Sequence, residues 1–418
     1  MKEPELIPHL FRTEYRKIIA VLCKRFGIEH IELAEDIVSE TFLLASELWG
    51  QKGLPQNPTA WLYTVAKNKT KDLLKHHAVF QQKVTPEIKH TASKTYEVEL
   101  DLSHRNIDDS QLHMLFAICH PSIPEEAQIG LALNILCGFG AEEIADAFLS
   151  TRESIYKRLS RAKEKLRIEQ IVIELPSPLE IDKRLDTVLR TLYLLFNEGY
   201  YSASQNISLR KDLCLEAIRL TYLLTTYEQT NTPTVNALLS LMCFHSSRFE
   251  ARTDAQGEIV LYEDQDTDLW NTELIEKGEH YLNRASQGNN LSKYHLEAAI
   301  AYWHTQKTEL HGKWENILQL YNRLLQVEYS PIAALNRTYA LSKANGKKEA
   351  IAEAEKLKLT DSHLYHSLLA SLYEGIDQTK VIEHLQTAWK LAKTTSDKNT
   401  IEKKIRKYNK TSFESKQH

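Results

Sequence analysis

The sequence predicts an all-α protein of several domains. Apolar residues recur at helical spacing along most of its 418 residues, while glycine and proline, which interrupt helices, number only 13 and 11. One stretch is different: Arg252 to Tyr262 has a turn signal before a β-branched run, which predicts a small β-hairpin. Apolar residues make up 42% and charged residues 26% of the chain, a globular balance that excludes wholesale disorder. The length predicts about two to four domains.

Several classes of protein are excluded by what the sequence lacks. Its five cysteines are far apart, with no C-x-x-C pair, and neither a signal peptide nor a membrane-length apolar run accompanies them. We therefore expect free thiols in a soluble, cytoplasmic protein that does not enter a membrane. Phosphate-binding, dinucleotide-binding and serine-nucleophile motifs are missing, and Asp264, Asp266 and Asp268 lack the glycine and glutamate of a calcium loop. We expect no enzyme activity, no cofactor and no metal.

The first element with a functional pattern is a helix predicted over Ile31 to Trp49. One face is apolar at 3.6-residue spacing and should be buried; it consists of Ala34, Ile37, Val38, Thr41, Leu44, Ala45 and Leu48. A nearly opposite stripe consists of Asp36, Glu40, Leu43 and Glu47, with Phe42 on its flank. A leucine among carboxylates is unusual on a solvent face. The pattern favours a docking surface for a basic, partly apolar partner, with a simple solvated face as the alternative.

The next helix combines aromatic and basic side chains. Asn57-Pro58, a cap residue followed by proline, predicts a helix from about Thr59 to His77. Trp61 and Tyr63 lie just after the loop, and they are followed by Lys67, Asn68, Lys69, Lys71 and Lys75. This combination suits single-stranded or distorted DNA, because bases stack on rings and phosphates meet ammonium groups. Trp61 taken alone is more simply a core residue. The residues that follow, Gln81 to Asn106, lose helical periodicity and are predicted to be a linker.

A second unit, from about Asp108 to Glu169, ends in a helix-turn-helix pattern. Its helices are predicted at Glu142 to Phe148 and Arg152 to Leu166, joined by Leu149, Ser150 and Thr151. The second helix has a buried stripe of Ile155, Leu159, Ala162 and Leu166, and opposite it lie Glu153, Ser154, Lys157, Arg158, Ser160 and Arg161. Side chains near the start of such a helix reach base edges in the major groove, while flanking basic residues meet phosphates. Leu149 replaces the glycine that is usual in this turn.

The remainder of the chain is predicted to be helical and partly repetitive. Pro176 and Pro178 mark a boundary before it. Tyr339 and Tyr373 are 34 residues apart, as are Ile351 and Leu385, at matching points of two predicted helix pairs. This spacing favours a tetratricopeptide-like array, with an irregular helical bundle as the alternative.

Several of these motifs resemble extracytoplasmic-function sigma factors of the sigma-70 family. Region 2 is similar to Ala34-Glu-Asp-Ile-Val-Ser-Glu-Thr-Phe-Leu43 and to Pro58-Thr-Ala-Trp-Leu-Tyr-Thr-Val-Ala-Lys-Asn68 with Asp72. Region 4 is similar to Glu143-Ile-Ala-Asp-Ala-Phe-Leu149 and Arg158-Leu-Ser-Arg-Ala-Lys163. Further segments resemble one subgroup of this family, which carries a long helical C-terminal extension. These segments are Asp108-Asp109, Leu115-Phe116, Cys119-His120-Pro121, Glu126-Ala127-Gln128, Tyr193-Leu-Leu-Phe-Asn-Glu-Gly-Tyr200, Asp264-Gln-Asp266 and Trp270. The resemblance spans nearly the whole chain.

The resemblance implies partners and roles for specific residues. Core RNA polymerase, through its β′ and β subunits, and promoter DNA would be the partners. The polymerase-binding residues would be Glu35, Asp36, Glu40, Phe42 and Leu43, with the β′ coiled coil as their target. Residues near the melted −10 element would be Trp61, Asn68, Lys69, Lys71 and Lys75. Those at the −35 element would be Arg152, Glu153, Ser154, Lys157, Arg158 and Arg161.

The predicted domains follow from the same comparison. They are sigma region 2 (residues 1–80), a linker (81–106), region 4 (107–170), a helical extension (180–290) and tetratricopeptide-like repeats (291–410). The C-terminal part is expected to regulate initiation, by an intramolecular contact or by binding an unknown protein. Two alternative functions explain less of the sequence. A helix-turn-helix regulator with a ligand-sensing domain would leave the acidic stripe around Leu43 unexplained. A scaffold that binds only proteins would leave the lysine row after Trp61 and the basic face of the helix from Arg152 unexplained.

Overall fold

A computed structural model describes residues 3–84, 103–148, 150–201, 207–252, 254, 260, 262–288, 290–306 and 312–414. Within these ranges the chain is helical and has no strand, so the all-α prediction is confirmed. The chain folds as two compact units, Met1–Glu198 and Gly199–His418. In the described ranges no helix is both long enough and apolar enough to span a bilayer. The five cysteines are free and buried, as predicted.

The first unit contains eight helices in its described part. They are α1 (Glu3–Phe26), α2 (Ile31–Lys52), α3 (Pro58–Val84), α4 (His104–Ile118), α5 (Glu125–Leu131), α6 (Ala141–Ala147), α7 (Arg152–Ile168) and α8 (Pro178–Tyr201). A 3-10 turn, Ile28–His30, precedes α2, and a π-helical turn, Ala132–Cys137, continues α5. The helix α8 runs three residues past the end of this unit, to Tyr201.

The centre of the first unit is α1. Six consecutive side chains, from Ile18 to Cys23, are buried, so this helix is covered on all sides. It packs against α2, α3, α4 and the π-helical turn. The helices of the predicted region 2 and those of the predicted region 4 thus share one hydrophobic core.

The predicted linker is partly helical, which corrects its boundaries. Helix α3 continues to Val84, and α4 begins at His104, where the Ser103 hydroxyl caps it by accepting a bond from the Asn106 amide at 3.3 Å. Residues 85–102 lie outside the described part of the chain.

Helix α8 is fixed to the first unit through Gln128. The Gln128 amide donates to the carbonyls of His120 at 3.1 Å and Ile123 at 2.8 Å, and its oxygen accepts from the Thr191 hydroxyl of α8 at 3.1 Å. Because the Gln128 side chain is buried, each of these bonds satisfies a polar atom that water cannot reach. The motif residues 119–128 thus have a structural role.

The second unit contains the helices α9 (Ile207–Thr225), α10 (Pro233–Ser247), α11 (Thr272–Ala285), α12 (Lys293–Thr305), α13 (Lys313–Val327), α14 (Pro331–Ala344), α15 (Lys347–Leu357), α16 (His363–Tyr373), α17 (Gln378–Leu391) and α18 (Thr395–Glu414). The core helix is α10, which packs against α9, α11 and α12. Gly278 of α11 lies so close that an added Cβ would stand 2.5 Å from the Phe244 ring, and its carbonyl accepts a bond from Ser240 at 2.7 Å. Glycine is required at this crossing.

From α12 to α18 each helix packs on the next one in the sequence. Leu369, Leu385 and Ala388 belong to the continuous core of this array. Sequential packing of this kind is what the predicted repeat needs, and the tetratricopeptide assignment itself stays a prediction. The predicted hairpin at 252–262 is not confirmed. The Val260 amide donates to the Arg252 carbonyl at 2.8 Å, but 253, 255–259 and 261 lie outside the described residues.

Candidate functional site

The exposed face of α2 follows the predicted pattern. Asp36, Glu40, Leu43 and Glu47 are exposed, and Leu43 shows 61% of its surface to solvent. The predicted apolar face is buried or half-buried throughout. A single helix therefore presents carboxylates around an exposed leucine while its other side is held in the core.

Phe42 lies in the core, which corrects its place in the predicted polymerase-binding set. Only 4% of its surface is exposed, and its ring packs against those of Phe11 and Tyr15, with centroids 5.2 and 5.8 Å apart. The apolar face of α2 is wide enough to include Phe42 because α1 covers it, and an aromatic ring gains more from burial than its small neighbours do. In this conformation Phe42 supports the helix and cannot contact a partner directly.

Glu35 is half-buried and its carboxylate is paired with two cations. Arg16 Nη1 lies 3.3 Å and Lys163 Nζ 3.1 Å from Glu35 Oε1. The Tyr15 hydroxyl also donates to the Glu35 carbonyl at 3.1 Å. Lys163 belongs to α7, the second helix of the helix-turn-helix pattern. A residue predicted to bind polymerase is thus joined to the helix predicted to read DNA.

Glu40 connects the acidic stripe to the lysine row of α3. Lys69 Nζ lies 2.7 Å from Glu40 Oε2, with 31% and 65% of the two side chains exposed. A pair this open to solvent is worth at most about 1 kcal/mol, so either partner can exchange it for another contact. The predicted polymerase-binding and −10 residues are therefore neighbours on one surface.

The aromatic residues of α3 have different environments. Trp61 is half-buried, and its ring meets the buried Trp49 edge to face at 5.3 Å. Tyr63 is buried, and its hydroxyl donates to Glu14 at 2.7 Å; burial first, then the Glu14 charge, raises the pKa of that hydroxyl. Trp61 is thus partly a core residue, which agrees with the simpler interpretation, but part of its ring remains exposed. Tyr63 has no exposed surface on which a base could stack.

The polar residues further along α3 remain open to solvent. Asn68 is exposed, and Lys67 and Lys71 are half-buried with no carboxylate partner in the described part of the chain. Lys75 lies on the same helix, but its side chain falls outside the described residues. The accessible lysines and Asn68 leave a positively charged surface beside Trp61.

Helices α6 and α7 pack against each other. Thr151 caps α7 by accepting from the Ser154 amide at 3.2 Å, and the Ser150 amide donates to the Ala145 carbonyl at 2.8 Å, which closes the turn. The predicted buried stripe is confirmed at Ile155, Leu159, Ala162 and Leu166. Leu149, the unusual turn residue, lies outside the described positions. The turn keeps its compact hydrogen bonding despite lacking the usual glycine.

The solvent face of α7 carries nearly all of the predicted −35 residues. Arg152, Glu153, Ser154, Lys157 and Arg161 are exposed, whereas Arg158 is half-buried and pairs with Glu126 at 3.2 Å. Tyr156, 67% exposed on the same helix, was missed by the sequence reasoning. Its position one residue after the buried Ile155 could have revealed it, since apolar exposure in a basic row is the signal that singled out Leu43.

Comparisons with known proteins match two separate segments. Residues 10–79 match sigma-70 region 2, and residues 184–286 match a family of unknown function named DUF6596. The chain is 33% identical over 361 residues to the uncharacterized protein R00370 of Rhizobium meliloti (strain 1021), covering 83% of each chain. No solved structure matches. The chain belongs to one family with this rhizobial protein, and the match of its residues 10–79 to sigma-70 region 2 supports a sigma-70 family factor.

Proposed function

We propose that this chain is an extracytoplasmic-function sigma factor of the subgroup with a long C-terminal extension, which docks on the β′ coiled coil of core RNA polymerase through α2. The observation that carries the proposal is Leu43, 61% exposed between the exposed carboxylates Glu40 and Glu47. An apolar contact ringed by charge of one sign is typical of a docking surface, because the leucine supplies buried area and the carboxylates orient a basic partner.

Helix α3 would hold the melted −10 element next to this docking site. The open surface of Trp61 can stack on an unpaired base, and Asn68 can bond a base edge, while Lys71 meets phosphates. Unstacking a base costs a few kcal/mol, and stacking and pocket contacts on the extruded base offset that cost. No bond is made or broken by the protein in this step.

Helix α7 would read the −35 element in the major groove. Its N-terminal turn presents Arg152 and Ser154, and one turn later Lys157 and Arg161 are exposed on the same helix. Arginine and lysine are the usual donors to guanine edges and to phosphates. The second unit would act as a regulatory domain, on the first unit or on another protein.

The docking role is tested by gel filtration of the full chain with core RNA polymerase. The wild type is expected to co-elute. Asp36→Arg is expected to weaken the complex at least about tenfold, because an exposed carboxylate facing a basic coiled coil becomes a like charge. Asp36 has no ion-pair partner among the described residues, so the substitution leaves the fold standing.

Two further variants separate docking from general charge effects and from DNA reading. Glu276→Arg reverses an exposed carboxylate on α11 and is expected to leave co-elution unchanged. Lys157→Ala is expected to co-elute normally yet reduce promoter-specific transcription. Co-elution by Asp36→Arg at the wild-type level would contradict the docking role. A footprint without polymerase would favour the helix-turn-helix regulator instead.

A further inference from the structure

The second unit contains a cluster of positive charges enclosed by aromatic rings. Arg248 and Arg252 follow α10, Lys313 begins α13, and the three converge on Tyr200 and Tyr262. The Arg252 guanidinium lies 3.7 Å from the centre of the Tyr200 ring. The Arg248 guanidinium and the Lys313 ammonium group lie 5.3 and 5.7 Å from the centre of the Tyr262 ring. Cations from separate helices thus meet over two neighbouring rings.

Arg248 is buried and forms no ion pair with a carboxylate of the described residues. Only 9% of it is exposed, and its contacts are a long bond of 3.5 Å to the Tyr200 hydroxyl and the ring of Tyr262. Its Nε atom is buried and has no hydrogen-bond partner in the part of the chain that the structure describes. An arginine rarely occupies such a place unless something accepts its hydrogen bonds, because a buried, uncompensated charge costs several kcal/mol.

Lys313 and Arg252 also form their hydrogen bonds with uncharged oxygen atoms. Lys313 is 6% exposed and donates to the Tyr262 hydroxyl at 3.2 Å and the Gln306 carbonyl at 3.1 Å. Arg252 is half-buried and donates to the Tyr200 carbonyl at 2.9 Å. In the described chain neither has a carboxylate partner. Two acids close to them in sequence are paired with other lysines, Glu250 with Lys211 and Glu263 with Lys343.

The walls of the cluster are aromatic and partly polar. Tyr262 stacks on Trp270 with centroids 6.3 Å apart and meets the His304 ring at 4.9 Å, and Tyr200 lies against His245 at 4.6 Å. The Nε1 of Trp270 and the Nδ1 of His304 are buried without a partner. Burial and the neighbouring cations lower the pKa of both histidines, so these rings add no charge at neutral pH. Arg252, Tyr262 and His304 are only half-buried, and the cluster therefore reaches the surface.

We propose that this cluster binds a phosphorylated small molecule that carries an aromatic ring, with its phosphate groups on Arg248, Arg252 and Lys313 and its ring against the half-buried Tyr262. Two guanidinium groups present paired donors that match phosphate oxygens, and three cations call for more negative charge than one carboxylate brings. Tyrosine and tryptophan faces stack on planar bases. The site lies in the second unit, and binding there does not depend on the sigma role.

The proposal is tested by titration calorimetry on the full-length protein, with ATP, pyrophosphate and adenosine as probes in the absence of divalent metal. Pyrophosphate is expected to bind, ATP to bind more tightly because its base adds stacking, and adenosine to show no measurable binding. Equal affinity for ATP and pyrophosphate would remove the aromatic part of the proposal. The absence of binding by both phosphorylated probes would overturn it.

Substitutions then assign the binding to this cluster. Arg248→Met is expected to weaken ATP binding at least about tenfold, and to keep or raise the Tm of the ligand-free protein, because it removes a buried unpaired charge. A purely structural arginine would lower the Tm. Arg252→Met, at a half-buried position, is expected to show the same loss of binding and serves if Arg248→Met fails to fold.

Arg337→Met is the matched control in the same unit. Arg337 Nη1 lies 3.6 Å from Glu353, and its Nε donates to Asn322 at 2.6 Å, so its charge is compensated. This variant is expected to lower the Tm and to keep ATP binding within about twofold of the wild type. ATP binding that survives in both Arg248→Met and Arg252→Met would place the ligand elsewhere and overturn the proposal.

Discussion

At the residue scale, two half-buried histidines of the second unit, His245 and His304, link stability to pH. Burial, followed by the charges of Arg248 and Lys313, lowers the pKa of His304 to about 3. In the unfolded chain the same ring has a pKa of about 6.5. Between these two values only the unfolded state binds the proton. The free energy of unfolding therefore falls as the pH falls below about 6.5, by up to about 1.4 kcal/mol per pH unit for each such histidine.

His304→Gln tests this linkage. The variant removes one titrating ring, so its Tm is expected to fall less steeply than that of the wild type between pH 6.5 and pH 4.5. The two proteins are compared by thermal unfolding at matched ionic strength, with the slope against pH as the readout, because the absolute Tm also reflects packing. Parallel slopes would mean that His304 is protonated equally in both states.

Adjacent residues on α2 show how far such details could be predicted. The 3.6-residue period placed Leu43 on the solvent side correctly, because it depends only on helix geometry. Phe42, one residue earlier, sits at the edge of both faces, where periodicity gives no decision. Its burial depends on the Phe11 ring of α1. That contact joins separate helices, so the sequence of α2 alone does not contain it.

At the element scale, helix faces could be predicted well and contacts between distant elements could not. The buried stripe of α7 and the cap at Thr151 follow from local spacing, and both occur as expected. The pairing of Glu35 with Lys163 spans 128 residues, and nothing in either segment indicates it. The π-helical turn Ala132–Cys137 was also missed, since its apolar residues carry no local signal that distinguishes it from an α-helix.

The Glu35–Lys163 pair predicts that polymerase docking competes with a contact inside the first unit. Both side chains are more than three-quarters buried, with 24% and 18% exposed. Polymerase can pair with the Glu35 carboxylate only in place of Lys163 or Arg16, and Lys163→Met removes one of these two competitors. Lys163→Met is therefore expected to raise the affinity for core polymerase about fivefold, equivalent to about 1 kcal/mol for a pair of this kind.

This effect is measured by titrating a fluorescently labelled chain with core polymerase. Lys165→Met is the matched control, because Lys165 lies on the same helix and its nearest carboxylate, that of Glu169, is 3.9 Å away and on α7's own C-terminal end. The control should bind as the wild type does. Weaker binding by Lys163→Met would instead make Lys163 part of the polymerase contact.

At the scale of the whole molecule, the boundary between the two compact units differs from the domain boundary that the sequence motifs predict. The predicted boundary at Pro176 and Pro178 falls before α8, yet the first unit continues to Glu198. A proline in the sequence indicates where a helix begins. It does not indicate which domain the helix packs against, because that depends on tertiary contacts. Here the bond from Thr191 to Gln128 and the ion pair of Arg190 with Glu125, at 3.1 Å, hold α8 to the first unit.

A truncation series tests this division. A fragment of residues 1–198 keeps α8 and is expected to unfold cooperatively and to bind core polymerase. A fragment of residues 1–176 loses the buried apolar side chains of α8, which are Ile181, Leu185, Val188, Leu189, Leu192, Leu195 and Phe196.

A side chain of this kind contributes roughly 1.5–3 kcal/mol where it is buried against the first unit, so losing a few such contacts together with the bond to Gln128 removes much of the stability of a typical domain, about 5–15 kcal/mol. The shorter fragment is therefore expected to lack a cooperative thermal transition. Its failure to bind polymerase would then reflect unfolding and not the absence of a regulatory domain. If both fragments melt at the same temperature, α8 contributes nothing to the stability of the first unit. The boundary of that unit would then lie at Pro176 and Pro178.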